Sequence, residues 1–211
     1  MKFLRSKLSI PETAKHFIYR QRLIDKFIKK PDVNLFLFIA PAGYGKTTLS
    51  VQFLAKYKKI LKSWYHIDRQ DVDPKRFLAY LIETLSISLP FLQKSDLISK
   101  LVNKNAGIIE IVDDLCFYLQ EYKGRDVWLV LDNWELIDKQ TDICSIITQL
   151  ISYGGTKLKI IINSRVRPSL HIQKLKVNNK AEIITQKEMA FNLTEFDDVI
   201  KTRLNSQIKE K

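Results

Sequence analysis

The chain has 211 residues, of which 45% are hydrophobic and 27% are charged. That length suits one globular core with at most a short appendage, and no run approaches the roughly 20 apolar residues that cross a bilayer. The N-terminus has no apolar stretch of signal-peptide length, and Cys116 and Cys144 have no His or Cys companions at metal-binding spacing. We therefore expect a cytoplasmic protein with reduced thiols, no zinc site and no membrane partner.

The net charge of +12 is concentrated near the N-terminus. Residues 1–62 contain fourteen Lys or Arg against three acids, whereas residues 63–211 contain twenty-one against twenty. A basic field of this kind attracts nucleic acid or a nucleotide polyphosphate. A solvated helix end and loop between Lys56 and Lys62 would produce the same composition, so charge alone does not predict DNA binding.

Short apolar runs alternate with segments of helical periodicity, which predicts strand–helix–strand units and an α/β fold with a mainly parallel sheet. We expect a lead-in and helix over residues 1–30, the core over residues 31–193, and a C-terminal helix or tail over residues 194–211. The most apolar strands should be central and buried on both faces. The predicted strands are Asn34–Ala40, Lys62–Asp68, Val127–Asp132, Leu158–Asn163 and Glu182–Thr185.

The turn after the first predicted strand carries the most specific motif in the chain. Residues 40–48 read APAGYGKTT, which matches the P-loop (Walker A) pattern G-x-x-x-x-G-K-[ST] except that Ala40 replaces the first glycine. The motif follows an apolar strand and opens an apolar helix, which is the context that the pattern requires. The competing interpretation is a glycine-containing turn that carries an exposed lysine.

A P-loop wraps an anion with backbone N–H groups, so this motif predicts binding of ATP with Mg²⁺. Gly43 and Gly45 should supply conformations and close approach that a side chain would obstruct. Lys46 should reach the β- and γ-phosphates, Thr47 should ligate Mg²⁺ through its hydroxyl, and Thr48 should bond the α-phosphate. The predicted phosphate-loop contacts are Pro41, Ala42, Gly43, Tyr44, Gly45, Lys46, Thr47 and Thr48.

The predicted strand VWLVLD ends in Asp132, and a P-loop protein needs an acid at such a position as a partner of the Mg²⁺. The alternative is that Asp132 only caps the following turn. The next residue is Asn133, whose amide can orient a water but cannot accept its proton. We therefore predict weak or negligible hydrolysis, with Glu135 as a reserve base if the turn brings it inward.

The fourth predicted strand runs into Ser164 and Arg165. Ligands of parallel sheets bind beyond the carboxyl ends of the strands, so Arg165 is a candidate sensor of the γ-phosphate. A surface arginine paired with an acid would give the same pattern.

Several segments occur together in the order and spacing of a known family. The segments are SKLSIP, Arg20-Gln21-Arg22-Leu23, APAGYGKTT, SWYHID with Asp71, Asp73, Arg76, Phe77, Tyr80 and Leu81, VWLVLDN, Asn163-Ser164-Arg165 with Pro168 and Leu170, and Met189-Ala190-Phe191 with Thr194 and Glu195. With these segments the chain resembles the STAND class of signal-transducing P-loop ATPases, and in detail the ATPase module of the maltose-regulon-activator branch of large LuxR-type regulators.

The resemblance implies a three-layer P-loop NTPase fold with a parallel five-stranded sheet of order 5-1-4-3-2. The strand that carries Arg165 would then lie between the P-loop strand and the Asp132 strand. The lead-in with Arg20 would approach the base side of the nucleotide, and Arg165 would be the nucleotide sensor. Two departures matter: Asn133 replaces a frequent acid, and the family continues beyond such a core into a helical lid, a winged helix, a sensor array and a LuxR-type DNA-binding domain.

In that family, ADP holds a closed monomer, and ATP with an inducer opens the protein for self-association and transcription activation. The resemblance thus implies a regulatory ATP/ADP switch that works with itself or with separate sensor and regulator domains. The rival hypothesis is an active ATPase that works on nucleic acid through the basic N-terminal third, and a third is a decayed module that binds nothing. No helix-turn-helix is recognisable, so we predict no sequence-specific DNA reading.

Overall fold

The structure, a computed structural model, describes residues 1–12, 17–102, 107–170, 175 and 177–209. Residues 210 and 211 of the predicted C-terminal helix lie outside the described part. Its α-helices are α1 (Arg5–Leu8), α2 (Gln21–Ile28), α3 (Lys46–Lys56), α4 (Pro74–Ser88), α5 (Leu97–Val102), α6 (Ile108–Glu121), α7 (Thr141–Tyr153), α8 (Gln186–Met189) and α9 (Leu193–Lys209). Short 3-10 turns cover Arg69–Val72, Pro90–Lys94 and Trp134–Leu136. Among the described helices, none combines the length and apolar character that crossing a membrane requires.

The five strands form one parallel sheet in the order β2-β3-β4-β1-β5, which confirms the predicted order 5-1-4-3-2. The carboxyl ends of β1, β3 and β4 are neighbours, because parallel strands in register end at the same edge of the sheet. The phosphate loop, Asp132 and Ser164 therefore meet at one edge. The strands are β1 (Leu35–Ile39), β2 (Leu61–His66), β3 (Val127–Asp132), β4 (Leu158–Ser164) and β5 (Ala181–Thr185).

Strand β2 ends two residues before the predicted boundary at Asp68. The Asp68 side chain accepts a hydrogen bond from the Gln70 N–H at 2.8 Å and caps the 3-10 turn that follows. Aspartate favours such caps because its short carboxylate reaches the free N–H groups of the first turn. The strand therefore stops at His66, which pairs in register with Asp132 of β3.

Alternate side chains of the strands belong to two separate hydrophobic clusters, one on each face of the sheet. In β1, Leu35 and Leu37 join the cluster under α4, α6 and α7, whereas Phe36 and Phe38 join the cluster under α2 and α3. This alternation follows from the two-residue repeat of a strand. Helices on both faces of a parallel sheet give the predicted three layers.

Stacked aromatic rings hold α2 and α3 against the sheet below the phosphate loop. The Phe27 ring lies 4.5 Å from the Phe53 ring of α3, and the Trp128 ring lies 4.4 Å from Phe53 and 5.4 Å from Phe36. Each buried aromatic side chain removes a large apolar area from water, and tilted or offset contacts of this kind add to that gain. The C-terminal half of α3, which carries Phe53, is therefore packed firmly against α2 and the sheet.

An ion-pair cluster ties the N-terminal lead-in to the start of α9, and we call these three residues, Arg20, Arg22 and Glu195, the terminal clasp. The Nε of Arg20 lies 3.0 Å from one Glu195 carboxylate oxygen, and a terminal nitrogen of Arg22 lies 3.2 Å from the other. Arg20 also donates to the Met189 carbonyl at 2.9 Å. The side chains of Arg20 and Glu195 are only 6% and 9% exposed, so each charge depends on the other.

The substitution Glu195→Gln should destabilise the protein by about 3 kcal/mol, because it leaves the buried Arg20 without its counter-charge. Thermal denaturation should show a melting temperature lower by about 6 to 12 °C. Glu182→Gln is the matched control, since its partner Lys30 is 44% exposed and such a pair contributes about 1 kcal/mol or less.

The loss should also depend on pH. Burial by itself would raise the pKa of Glu195, but the Asn192 N–H and the two arginines outweigh burial and hold the pKa below its ordinary value of 4.5. A lowered carboxyl pKa stabilises the fold above the unfolded-state pKa, and this stabilisation is lost as the pH falls through the folded-state pKa. Equal stability of the wild type and Glu195→Gln at pH 7 would contradict a stabilising role for the terminal clasp.

Candidate functional site

A cavity of about 320 Å³ opens at the carboxyl edge of the sheet, above β1, β3 and β4. The fold brings most of the residues predicted for the site together there, although they are widely separated in sequence. Pro41, Tyr44 and Arg20 do not line the cavity, and the exposed Phe17 does so without having been predicted. The lining residues are Phe17, Ala42, Gly43, Gly45, Lys46, Thr47, Thr48, Asp132, Asn133 and Arg165.

The phosphate loop needs its two glycines for backbone conformation and for open space. Gly43 has φ of 85° and Gly45 has φ of 78°, values at which side chains are strained. A Cβ atom built on either residue would meet no atom within 4 Å beyond the adjoining residues of the chain, so both residues face an open cradle. Among the described residues, no side chain caps the N-terminus of α3, which leaves its first N–H groups free for an anion. The loop therefore fits a phosphate.

Lys46 begins α3, and its amine turns back toward the loop. Its Nζ donates to the carbonyl of Ala40 at 2.6 Å and to that of Pro41 at 2.9 Å. Burial lowers the pKa of Lys46 and nearby Arg165 adds to this, while the carboxylates of Glu135 and Asp132 act in the opposite direction. A phosphate in the cradle would replace these two neutral carbonyls with a charged acceptor, which forms a stronger bond.

Asp132 and Thr47 bring two kinds of oxygen together beside the cradle. The Thr47 hydroxyl lies 3.1 and 3.2 Å from the two carboxylate oxygens of Asp132, and Asp132 is only 3% exposed. Hydroxyl and carboxylate oxygens suit Mg²⁺, which usually takes few protein ligands and completes its shell with water and phosphate. The carboxylate bonds Thr47 rather than the turn that follows it, so the arrangement differs from a simple turn cap.

A buried hydrogen-bond chain, which the sequence did not predict, orients Asp132. Asn163 of β4 is fully buried and donates from its amide to Asp132 at 2.9 Å. Ser50 of α3 donates either to the Asn163 side-chain oxygen at 3.0 Å or to the Lys46 carbonyl at 3.1 Å. The only sequence signal for these hydrogen bonds was the place of Asn163 beside Ser164 in the family resemblance.

His66 lies beside the Asp132 carboxylate, and Asn133 lies beside His66. The Nδ1 of His66 lies 3.7 Å from Asp132, and the Asn133 amide nitrogen lies 3.2 Å from the His66 Nε2. The nearby carboxylate of Asp132 raises the pKa of His66 above its ordinary value, although burial opposes the change. Asn133 has φ of 65°, a left-handed conformation that asparagine tolerates better than most residues. The sequence analysis did not predict a role for His66, because the predicted strand ran on to Asp68 and the pairing of His66 with Asp132 follows from the sheet register.

Arg165 and Glu135 pair with each other at the edge of the cavity. The Arg165 Nε lies 2.8 Å from one Glu135 carboxylate oxygen, and the Arg165 backbone N–H donates to the other at 3.1 Å. The turn Trp134–Leu136 thus brings the Glu135 carboxylate inward, and the Glu135 side chain is 14% exposed against 58% for Arg165. This pairing is the contact that the competing interpretation of Arg165 expected, and it lies beside the cradle.

The remaining predicted residues support the loop from outside the cavity. Pro41 supplies a carbonyl to Lys46, and the Tyr44 hydroxyl accepts a bond from Gln186 of α8 at 2.9 Å. The guanidinium of Arg20 is used in the terminal clasp. Its contact with the base side of a nucleotide stays a prediction.

The sheet order, the glycine turn and the Thr47–Asp132 contact define the class of protein as a P-loop NTPase. Sequence comparison with curated proteins matches transcriptional regulators named MalT. The HTH-type transcriptional regulator MalT of Yersinia pestis (strain Pestoides F) is 30% identical over 206 residues, which cover 97% of this chain. The MalT of Yersinia enterocolitica shows the same identity and coverage. The chain spans 22% of the length of these relatives.

Solved structures share the fold at lower identity. A STAND protein with a tetratricopeptide repeat sensor, PH0952 from Pyrococcus horikoshii, matches with a TM-score of 0.59 and 19% identity, over 87% of this chain and 25% of that one. The ORC1 protein of Aeropyrum pernix, solved in complex with DNA, matches with a TM-score of 0.57 and 12% identity, over 93% of this chain and 51% of that one. A scan against models of known protein families found no match. Over 206 residues the chain is thus homologous to part of the MalT regulators, and its fold is that of P-loop NTPases such as the STAND protein PH0952.

The substitution Gly45→Ala should cost about 1 kcal/mol of stability, because alanine is strained at this positive φ. The same substitution should weaken binding of ATP by about tenfold or more, because the loop N–H groups would turn away from the phosphate. Calorimetric titration with ATP and Mg²⁺ measures the second effect.

Gly155→Ala is the matched control for this prediction. Gly155 also has a positive φ, and an added Cβ would lie 3.1 Å from the Leu119 carbonyl oxygen, so this variant should lose at least as much stability. It lies before β4, at the opposite edge of the sheet, and should leave nucleotide affinity unchanged. Equal affinity losses in the two variants would contradict a special role for Gly45.

Proposed function

We propose that this chain is a regulatory module that binds ATP or ADP with Mg²⁺ and hydrolyses ATP slowly or negligibly. The observation that carries the proposal is the open glycine cradle beside Lys46, with the Thr47 hydroxyl in contact with the Asp132 carboxylate. These groups offer what a triphosphate with its metal requires: free N–H groups, an ammonium group and oxygen ligands. The similarity to MalT regulators supports a regulatory role and a cytoplasmic location.

In this proposal the chain's own residues would act as follows. The loop N–H groups and Lys46 would hold the phosphates, while Thr47 and Asp132 would hold Mg²⁺, which would neutralise phosphate charge when bound. Asn133 would orient a water without taking its proton. The consequence is a site that distinguishes nucleotides by affinity, so that their relative concentrations set the population of each state.

Ion pairing within the basic N-terminal third favours the regulatory switch over an enzyme that works on nucleic acid. Among the described residues, five cations of this third are paired with acids of the same fold, which leaves less positive charge for a polyanion. The pairs are Lys7 with Asp68 and Asp71, Arg20 and Arg22 with Glu195, Lys26 with Glu188, and Lys30 with Glu182. The partners that we propose are nucleotide, a second copy of the chain, or separate sensor and regulator domains, without sequence-specific DNA reading.

The substitution Lys46→Ala should abolish binding of a fluorescent ATP analogue, because the phosphates lose their ammonium partner. Lys58→Ala is the matched control, since it removes the same charge from an exposed residue of the basic third and should leave affinity within about twofold, as expected for a screened surface charge. Unchanged affinity in Lys46→Ala would defeat the assignment of the loop.

Hydrolysis by the purified wild-type chain should be far slower than several turnovers per second. Asn133 cannot act as a base, and the carboxylate of the reserve base Glu135 is paired with Arg165. Phosphate release with ATP and Mg²⁺ measures the rate, and the Lys46→Ala variant identifies any contaminating activity. Sustained turnover of several per second that disappears in Lys46→Ala would show that the chain is an active ATPase.

A further inference from the structure

The Glu135–Arg165 pair joins the ends of two neighbouring strands directly above the sheet edge. Glu135 lies in the turn after β3, and Arg165 is the first residue after β4. One carboxylate receives both the Arg165 Nε–H at 2.8 Å and the Arg165 backbone N–H at 3.1 Å. Two bonds to a carboxylate that is 14% exposed fix the position of the charge better than a single surface contact does.

The ion pair with Glu135 engages one of the cationic side chains that line the cavity, Arg165. Lys46 and Arg165 are the cationic side chains among the described residues that line it. Glu135 and Asp132 are close enough to act on the pKa of Lys46, and so is Arg165. Any nucleotide phosphate in the cradle would therefore lie within the field of all four charges, because these interactions extend over several ångströms in a partly buried site.

A terminal phosphate and Glu135 would bind the same group. Both are anions with oxygens that accept planar N–H pairs from a guanidinium. Arg165 is 58% exposed and lines the cavity, so its side chain has room to turn. Among the described residues, no other carboxylate lies within 4 Å of the Arg165 guanidinium nitrogens. Within the described part of the chain, Glu135 is therefore the one carboxylate that would compete with a phosphate for Arg165.

We propose that Glu135 sets the preference of the site for ATP over ADP by competing with the terminal phosphate for Arg165. The inference rests on the proposed nucleotide site and adds to it a residue that determines specificity. A triphosphate has to displace Glu135 before it gains the arginine. A diphosphate ends one phosphate short and leaves the pair in place. Differential interaction with the two arrangements is what allows a ligand to shift an equilibrium.

The central test is the substitution Glu135→Gln, which keeps an oxygen for the Arg165 N–H but removes the competing charge. Calorimetry with Mg²⁺ should show that a non-hydrolysable ATP analogue binds about three- to tenfold more tightly, whereas ADP affinity changes by about twofold or less. In Arg165→Gln, the preference for the ATP analogue over ADP should fall. The double variant should resemble Arg165→Gln, because Glu135 would act through the arginine.

Comparison of the four proteins separates this competition from a general loss of negative charge near the phosphates. A general charge effect would strengthen binding of both nucleotides and would persist in the Arg165→Gln background, and either result would overturn the inference. Glu182→Gln is the control for charge removal at a distant ion pair, and it should leave both affinities unchanged. Melting temperatures confirm that each variant is folded, and Arg165→Lys serves as a second variant if Arg165→Gln is not.

The two proposals fail in different ways in this experiment. If the wild type binds neither nucleotide, the proposed function is wrong and the inference falls with it. If both nucleotides bind in a manner that requires Lys46, but Glu135→Gln leaves the ratio of their affinities unchanged, then only the role of Glu135 is wrong.

Discussion

The buried carboxylate of Asp132 connects the parts of the site that the fold brings together. It accepts hydrogen bonds from Thr47 of α3 and from Asn163 of the neighbouring strand. Since the carboxylate is almost wholly removed from water, losing either bond would leave a costly unpaired group. The start of α3, and with it the phosphate loop, is therefore held at a defined height above the sheet edge.

The cations of the site use oxygens of the protein itself as partners. Lys46 bonds two loop carbonyls, and Arg165 bonds Glu135. Binding of a phosphate would thus be an exchange of partners rather than a simple addition, and its net gain depends on what each cation gives up. A site built in this way can have different affinities for ligands that differ by one phosphate, which is what a switch requires.

The departure from the family pattern at Asn133 lies on the same turn as Glu135. Asn133 stands where an acid is frequent, and two residues later Glu135 places its carboxylate against Arg165. The left-handed backbone at Asn133 starts the short 3-10 turn that directs Glu135 inward. Position 133 thus contributes to the shape of the site even though its amide is turned toward His66.

Local sequence patterns determined the strands, the helices and the loop of this protein. Runs such as VWLVLD and the motif APAGYGKTT act through neighbouring residues, so their structure could be predicted without knowing the rest of the fold. The sheet order came from the family resemblance, because hydropathy contains no information on which strands are neighbours. Predictions that needed only the strand order, such as the approach of Asp132 and Arg165 to the loop, could follow from it.

Only the tertiary structure decided the partners of the charged side chains. The family resemblance placed Arg20 near the base side of a nucleotide, and the structure adds an ion pair between its guanidinium and Glu195, 175 residues away. Glu135 meets Arg165 across 30 residues, and Asn163 meets Asp132 across 31. A charged residue shows no periodic pattern that would name its counter-ion. Its partner depends on the angle of a turn and the register of a sheet, both of which exist only once the chain has folded.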